Sequence, residues 1–198
     1  MTAIKICGIT TAEDAESALA LGVEALGVNL WSGSKRRCSP EVARAIVRLA
    51  EGRARVIAVV VDASIEEIAR ARAELGIEWV QLHGDEPDDV VRARTALRAR
   101  GEAGYAEALR APGIEILLDA SVPGEKGGTG VRADWALAAR IARERPLWLA
   151  GGLDAGNVGD AIAQVRPMGV DIASGVERAP GEKDRAKLEA FVRAVRSA

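Results

Sequence analysis

The stretch IKICGITTAEDAESALALGVEALGVNL, residues 4–30, decides the fold prediction. It opens with a short apolar run at Ile4–Cys7, continues through a charged segment and reaches a second apolar run at Ala25–Leu30. Because these runs are continuous rather than alternating, they are typical of parallel strands that are covered on both faces. The turn after the first run, Gly8–Thr10, lacks the glycine-rich sequence that opens a dinucleotide-binding open sheet. The stretch therefore predicts a strand–helix–strand unit of an α/β protein.

The same unit recurs along the whole chain. Six further apolar runs are predicted strands: Val56–Val61, Trp79–Leu82, Thr95–Leu97, Ile114–Leu118, Leu147–Ala150 and Val170–Ala173. Eight strand–helix pairs favour a closed (β/α)8 TIM barrel over a doubly wound open sheet, since strand number and shear are consistent at eight. No linker interrupts the pattern, so residues 1–198 are predicted to form one domain. Since such barrels usually have about 250 residues, the connections must be short.

Helix ends are predicted from capping residues. Two capping boxes are expected, Thr10 with Glu13 and Ser64 with Glu67. The other predicted caps are Ser39 (before Pro40), Asp134 and Asp184 at N-termini and Gly22, Gly52 and Gly76 at C-termini.

Composition limits the chemistry that the chain can perform. With 27 Lys and Arg against 29 Asp and Glu, and no basic stripe, nucleic acid is not an expected partner. No apolar run approaches the ~20 residues of a membrane span and no secretory signal is present, so we expect a cytoplasmic protein. Cys7 and Cys38 show no disulfide or zinc spacing, and His83 is the single histidine. A histidine-based metal site is therefore nearly excluded, and acid and base must come mostly from Cys, Asp, Glu or Lys.

Two glycine-containing turns are the candidate phosphate site. Gly151-Gly152 and Ser174-Gly175 follow the seventh and eighth predicted strands, where barrels commonly bind phosphate. Glycine lets backbone N–H groups approach an anion closely. The alternative is that these glycines only permit tight strand-to-helix turns.

Cys7 and Asp119 are the candidate reacting groups at the same rim. Cys7 lies between a strand and a turn that opens a helix, where amides could stabilise a thiolate, although a small buried hydrophobe is the alternative. Asp119 ends the apolar run Ile116–Leu118, whose desolvation raises a carboxyl pKa and suits a general acid. A helix cap or a salt bridge is the alternative for Asp119. Cys38 has no comparable setting and is interpreted as structural.

Three other segments belong to the predicted rim. The glycine-rich segment Pro123–Gly130 is typical of a lid that closes over substrate. One arginine of Ser34–Arg37 could pair with a substrate carboxylate, unless the segment is a solvated basic loop. His83 could contact substrate or tie a loop to backbone.

Together these segments resemble the phosphoribosylanthranilate isomerase family along nearly the whole chain. The matching stretches are Lys5–Thr10, Ser34–Arg36, Ser39-Pro40, Val80–Glu86, Leu117–Ala120, Gly127–Gly130, Asp134-Trp135, Leu149–Leu153, Asn157-Val158, Val170–Ile172, Ser174–Glu177, Gly181, Lys183 and Asp184. Each is weak alone, but their order and number make the resemblance specific.

The resemblance implies a metal-free and cofactor-free Amadori rearrangement in tryptophan biosynthesis. N-(5-phosphoribosyl)anthranilate would become 1-(2-carboxyphenylamino)-1-deoxyribulose 5-phosphate, with Asp119 as the acid that opens the ribose ring and Cys7 as the thiolate base that removes the C2 proton. The resemblance also implies substrate-binding roles, which fall to Arg36 (on the anthranilate carboxylate), His83, Gly128 and Asp171, with the phosphate on Gly151, Gly152, Ser174 and Gly175.

The chain departs from the family pattern near the fifth strand. Pro87–Arg100 is several residues short, so helix four and strand five are predicted to be compressed, with Thr95–Leu97 as the remnant of the strand. In addition, Asn29–Trp31 stands where an aromatic-rich strand end is common, and Ala173 replaces a frequent serine.

Three other functions fit the sequence less well. A metal-dependent epimerase would require two histidines, and this chain has one. An indole-forming synthase would present lysine and glutamate on inward strand ends, and beyond Lys5 no such pair is found in the sequence. A non-catalytic phosphate-binding relative would be expected to lose Cys7 or Asp119, and both are present.

Overall fold

Eight parallel strands close into a barrel in the computed structural model, which describes residues 1–84, 95–99, 115–119 and 133–198. The strands are β1 Ala3–Cys7, β2 Ala25–Asn29, β3 Arg55–Val60, β4 Trp79–Leu82, β5 Thr95–Ala99, β6 Glu115–Leu118, β7 Leu147–Leu149 and β8 Gly169–Ile172. Each strand pairs in parallel with the next, and β8 closes the barrel on β1 with Lys5 opposite Asp171. The predicted (β/α)8 barrel is confirmed.

Helices surround the barrel, and a small ribbon follows its last strand. The helices within the described ranges are α1 Ala12–Ala20, α2 Pro40–Ala50, α3 Ile65–Leu75, α4 Trp135–Ala142, α5 Val158–Val165 and α6 Arg185–Ser197. A 3-10 turn at Ser174–Val176 leads into an antiparallel ribbon of β9 Glu177–Ala179 and β10 Glu182–Lys183. None of these helices is long and apolar enough to cross a membrane.

The fifth strand is present and completes the barrel wall. It pairs with β4 through Val80↔Thr95 and with β6 through four residues ending at Ala99↔Leu118. The predicted remnant at Thr95–Leu97 is thus confirmed as a strand and is two residues longer. The predicted compressed helix four falls within residues 85–94, which lie outside the described residues.

Most of the predicted caps are confirmed, and one is wrong. Ser64 and Glu67 form a reciprocal capping box, and Ser39, Asp134 and Asp184 each accept hydrogen bonds at a helix N-terminus. At α1, however, the N-cap is Thr11, whose hydroxyl accepts from the Asp14 N–H at 3.1 Å. The predicted Thr10 cap fails because the Thr10 hydroxyl instead donates to the Gly181 carbonyl, which joins the first turn to the β9–β10 ribbon.

Strand alternation divides the interior into two cores. The larger core lies between strands and helices, and a smaller cluster inside the barrel contains Ala25, Ile57, Leu117, Trp148 and Ala150. Because successive side chains of a strand point to opposite faces, the odd-numbered residues of β1 share the barrel interior. This alternation places a buried lysine, Lys5, in the same interior column as Cys7.

Candidate active site

A cavity of about 350 Å³ opens at the carboxyl ends of the strands. It is lined by residues near the carboxyl ends of strands and in the loops that follow them, and these include Cys7, Arg36, His83, Asp119, Gly151, Gly152, Asp171, Ser174 and Gly175. Nine of the ten residues predicted for the site therefore line one space. The tenth, Gly128, lies outside the described residues, as does the predicted lid.

Cys7 ends β1 and is partly exposed to this cavity. A β carbon built on Gly27 would lie 2.9 Å from Cys7 Sγ and 3.2 Å from Lys5 Cε, so the thiol and the lysine stem occupy the same space beside β2. Burial raises the pKa of the Cys7 thiol, while the nearby Lys5 ammonium opposes that rise. Resting Cys7 therefore favours the thiol.

The turn after Cys7 separates the thiol from the first residue of α1. The Ile9 N–H donates to the Gly27 carbonyl at 3.0 Å, and α1 begins five residues after Cys7, at Ala12. Stabilisation of a Cys7 thiolate by the amides of this turn stays a prediction of the sequence. Burial has the largest effect on the pKa of this thiol, and the charge of Lys5 has the next largest.

Lys5 and Asp171 form a buried ion pair beneath Cys7. Lys5 Nζ lies 2.9 Å from Asp171 Oδ2, with the two side chains 2% and 7% exposed. Burial alone would lower the pKa of Lys5, but attraction to Asp171 and then to Cys7 raises it overall. Lys5 is therefore held as an ammonium group inside the barrel.

Arg36 is held at the rim by Glu177. Its Nε lies 2.9 Å from Glu177 Oε1 and its Nη2 lies 2.8 Å from Oε2, which is a side-on bidentate pair. A guanidinium has five N–H donors, so the Nη1 end stays available for a second carboxylate. In the described part of the chain, Nη1 has no hydrogen-bond partner. The predicted carboxylate-binding arginine is thus positioned by the protein before any ligand arrives.

Lys183 connects this carboxylate to the ends of two barrel strands. Its buried Nζ lies 2.8 Å from Glu177 Oε1, 2.6 Å from the Cys7 carbonyl oxygen and 3.3 Å from the Ala173 carbonyl oxygen. Burial lowers the pKa of Lys183, and attraction to Glu177 opposes that shift. The ribbon lysine therefore joins the backbone of the candidate base to the turn that follows β8.

The two glycine turns line the cavity side by side. Gly151 and Gly152 have φ of +88° and +62°, values that favour glycine. A β carbon on Gly175 would collide with the Leu153 carbonyl oxygen, so the turns after β7 and β8 lie in direct contact. Across the described ranges, the amides of Gly152, Ser174 and Gly175 have no backbone partner. The paired turns can bind an anion such as phosphate.

Asp119 and His83 line the same cavity from the carboxyl ends of β6 and β4. Asp119 directly follows β6, whose four residues are all buried, and lines the cavity with Cys7. His83 is buried after β4, and its Nδ1 lies 3.2 Å from Gln81 Nε2. The arrangement supplies a thiol, a carboxyl group, a guanidinium and an anion-binding turn to one ligand.

Cys38 lies outside the cavity, in agreement with its structural interpretation. It is 2% exposed, and burial raises its pKa to about 11. No group of three or more His, Cys, Asp or Glu side chains within residues 1–84, 95–99, 115–119 and 133–198 is arranged to hold a metal ion.

Sequence reasoning gave no role to Lys5, Glu177 or Lys183. The inward position of Lys5 could have been predicted. Lys5 lies between the apolar residues Ile4 and Ile6 and two positions before Cys7, so it shares the inward face of the strand with Cys7. The contact between Glu177 and Lys183 could not have been predicted from the apolar pattern, because it depends on the path of the β9–β10 ribbon.

Comparisons with known proteins agree on one family. The sequence model described as N-(5'phosphoribosyl)anthranilate (PRA) isomerase matches residues 4–194. A relative from Geobacter sp. (strain M21), named N-(5'-phosphoribosyl)anthranilate isomerase, is 43% identical over 197 residues, which cover 97% of this chain and 97% of the relative.

Solved structures give the same result. The phosphoribosyl anthranilate isomerase from Thermotoga maritima superposes with a TM-score of 0.91 at 34% identity, over 100% of both chains. The enzyme from Thermus thermophilus also has a TM-score of 0.91, at 36% identity over 99% of both chains. A phosphoribosyl anthranilate isomerase in complex with reduced 1-(o-carboxyphenylamino)-1-deoxyribulose 5-phosphate has a TM-score of 0.88 at 33% identity, over 100% of both chains.

Proposed function

The chain belongs to the N-(5'-phosphoribosyl)anthranilate isomerase family, and on this basis we propose that it rearranges N-(5'-phosphoribosyl)anthranilate by acid–base catalysis with Asp119 and Cys7. It is an isomerase of tryptophan biosynthesis, and the product is 1-(2-carboxyphenylamino)-1-deoxyribulose 5-phosphate. The observation that carries the proposal is that a thiol, a carboxyl group and two amide-lined turns share one cavity.

Substrate binding uses the two ends of the cavity. The phosphate accepts hydrogen bonds from amides of the turns at Gly151-Gly152 and Ser174-Gly175, where negative charge is favoured. The anthranilate carboxylate pairs with the Nη1 end of Arg36, while Glu177 keeps the guanidinium in place. With both ends fixed, the ribose lies between β1 and β6, where Cys7 and Asp119 are located.

Asp119 acts first, as the general acid. It donates a proton to the ribose ring oxygen, the C1–O bond breaks, and the nitrogen lone pair forms a protonated Schiff base at C1. Cys7 in its thiolate form then removes the proton from C2. The C2–H electron pair becomes the C1=C2 double bond and neutralises the nitrogen, which gives an enolamine. Loss of the enol proton from the C2 oxygen and protonation of C1 produce the ketone. The reaction has no net gain or loss of protons or electrons.

His83 and Asp171 contribute from the walls. His83 closes the β4 side of the cavity, and Asp171 holds Lys5 below the reacting centre. Gly128 belongs to the predicted lid, and its contact with substrate remains a prediction of the sequence.

Single substitutions test the proposal. Cys7→Ala and Asp119→Asn should each abolish isomerisation and leave the far-ultraviolet circular dichroism spectrum unchanged. Substrate generated in situ loses its anthranilate-type fluorescence as it is consumed, which gives a continuous assay. Near-normal turnover by Cys7→Ala would remove Cys7 from the base role. A wild-type protein that binds inorganic phosphate but does not turn over substrate would contradict the activity.

A further inference from the structure

The buried Lys5–Asp171 pair lies directly below the thiol that must accept a proton. Lys5 precedes Cys7 by two residues on β1 and therefore shares its inward face. The β1–β8 register places Asp171 opposite Lys5, and their charged atoms lie 2.9 Å apart. A β carbon on Gly27 would touch both Cys7 Sγ and Lys5 Cε, so the lysine also adjoins the thiol.

The pair is poorly arranged for a stabilising role alone. Taking two charges out of water costs several kcal/mol per ion unless hydrogen bonds satisfy their remaining atoms. Lys5 Nζ and Asp171 Oδ1 are both buried and have no hydrogen-bond partner in the described part of the protein, so the ion pair between Lys5 Nζ and Asp171 Oδ2 leaves both groups incompletely satisfied. An apolar pair would fill the same interior at lower cost, so the charge itself needs an explanation.

The other two cations near Cys7 are both paired with one carboxylate, Glu177. Lys183 approaches from the ribbon and Arg36 from the loop after β2, and both are paired with Glu177. Lys5, by contrast, is shared between Asp171 and Cys7.

We propose that Lys5, kept protonated by Asp171, is a positioning residue whose ammonium stabilises the thiolate form of Cys7. The inference rests on the proposed function only in one respect, which is that the proposed function makes the Cys7 thiolate the catalytic base. Burial raises the pKa of Cys7, and the strongest opposing influence is the charge of Lys5; Asp171 adds to the rise and Lys183 opposes it. Removal of the Lys5 charge should therefore reduce the thiolate fraction at neutral pH.

Alkylation of the thiol by iodoacetamide tests this without substrate. The thiolate displaces iodide and forms an S–C bond, so the rate follows the thiolate fraction. Peptide mass mapping distinguishes alkylation of Cys7 from alkylation of Cys38. Cys38 is buried, its pKa is raised to about 11, and it serves as an internal control that should react slowly. Rates from about pH 6 to about pH 10 should be measured for the wild type, Lys5→Met and Lys5→Met/Asp171→Asn. Lys35→Met removes an exposed rim lysine and is the matched control.

Lys5→Met should lower the Cys7 alkylation rate at pH 7 about tenfold or more, because one pKa unit changes the thiolate fraction about tenfold. Lys35→Met should change it less than about twofold, because an exposed charge is screened. The double variant has no unpaired buried carboxylate, so we expect it to fold without the ion pair. Its Cys7 should still react at least about fivefold more slowly than that of the wild type.

A wild-type rate in Lys5→Met overturns the inference. A wild-type rate in the double variant also overturns it, because the single variant's effect would then come from the unpaired Asp171. These results are independent of turnover, whereas an active Cys7→Ala variant overturns the proposed function instead.

Discussion

Replacement of Lys183 by methionine should damage both stability and substrate binding. The change removes the cation that bonds Glu177, the Cys7 carbonyl and the Ala173 carbonyl, at 2.8, 2.6 and 3.3 Å. Loss of one partner of a buried ion pair typically costs about 3–5 kcal/mol. Because Glu177 keeps its bidentate pair with Arg36, we expect the lower end of this range, ~3 kcal/mol. In a domain of this size that corresponds to a fall in Tm of roughly 6–12 °C.

The same substitution should affect kinetics. Without Lys183, Glu177 and the turn after β8 should be held less firmly, so Arg36 and the amides proposed to bind phosphate should lose their fixed spacing. We expect KM to rise about tenfold, which corresponds to about 1.4 kcal/mol of lost binding. Thermal unfolding and the fluorescence assay measure the two effects.

Lys187→Met is the matched control. Lys187 donates to the Glu177 backbone carbonyl at 2.7 Å and does not bond its carboxylate. Loss of this hydrogen bond should cost about 1 kcal/mol and leave KM unchanged within about twofold. If Lys183→Met keeps both the wild-type Tm and the wild-type KM, the ribbon lysine does not organise the site.

Three more expectations concern other residues. Burial alone would raise the pKa of Glu177, but its basic neighbours lower the pKa overall. The carboxylate therefore stabilises the fold at pH values above its unfolded pKa, and this stabilisation is lost as the pH falls through its folded pKa. Urea unfolding at about pH 5 and about pH 3 should show a smaller loss of stability in Glu177→Gln than in wild type. Gly175→Ala should raise KM about tenfold, because the added β carbon would collide with the Leu153 carbonyl oxygen. Gly159→Ala is the control and should change KM less than about twofold, because the space around Gly159 is open. Cys38→Ala should cost about 1 kcal/mol in thermal unfolding and leave kcat unchanged, since Cys38 is buried outside the cavity.

The strands were predictable because their apolar runs are continuous and regularly spaced. The bounds of β4 match the prediction, and those of six other strands differ from it by one residue at one or both ends. Position relative to the strands was enough to identify Cys7, Asp119 and the two glycine turns as rim residues, because a barrel gathers its strand ends on one face. The α1 cap was wrong because Thr10 and Thr11 are adjacent hydroxyl residues, and only the tertiary contact of Thr10 with Gly181 separates their roles.

The charges around the site could not be read from the sequence in the same way. Glu177 follows β8 by five residues and meets Arg36, which is 141 positions away in the chain. Such a contact depends on the path of the ribbon, which apolar periodicity does not specify. The predicted carboxylate-binding role of Arg36 also took no account of Glu177, which occupies one side of the guanidinium.

In the proposed mechanism, placement of the thiol over a buried ion pair would allow Cys7 to act as base in a cavity that binds an anionic substrate. A substrate with a phosphate and a carboxylate adds negative charge near Cys7, and each added charge disfavours the thiolate. In the proposed mechanism Arg36 and the turn amides bind those groups at the rim, while Lys5 lies below the thiol, on its interior side. A cation on that side acts on Cys7 without competing for the substrate's anionic groups, and burial limits its screening by salt. The proposed thiolate-stabilising charge and the proposed substrate-binding charges would therefore operate together, because they occupy different levels of the barrel.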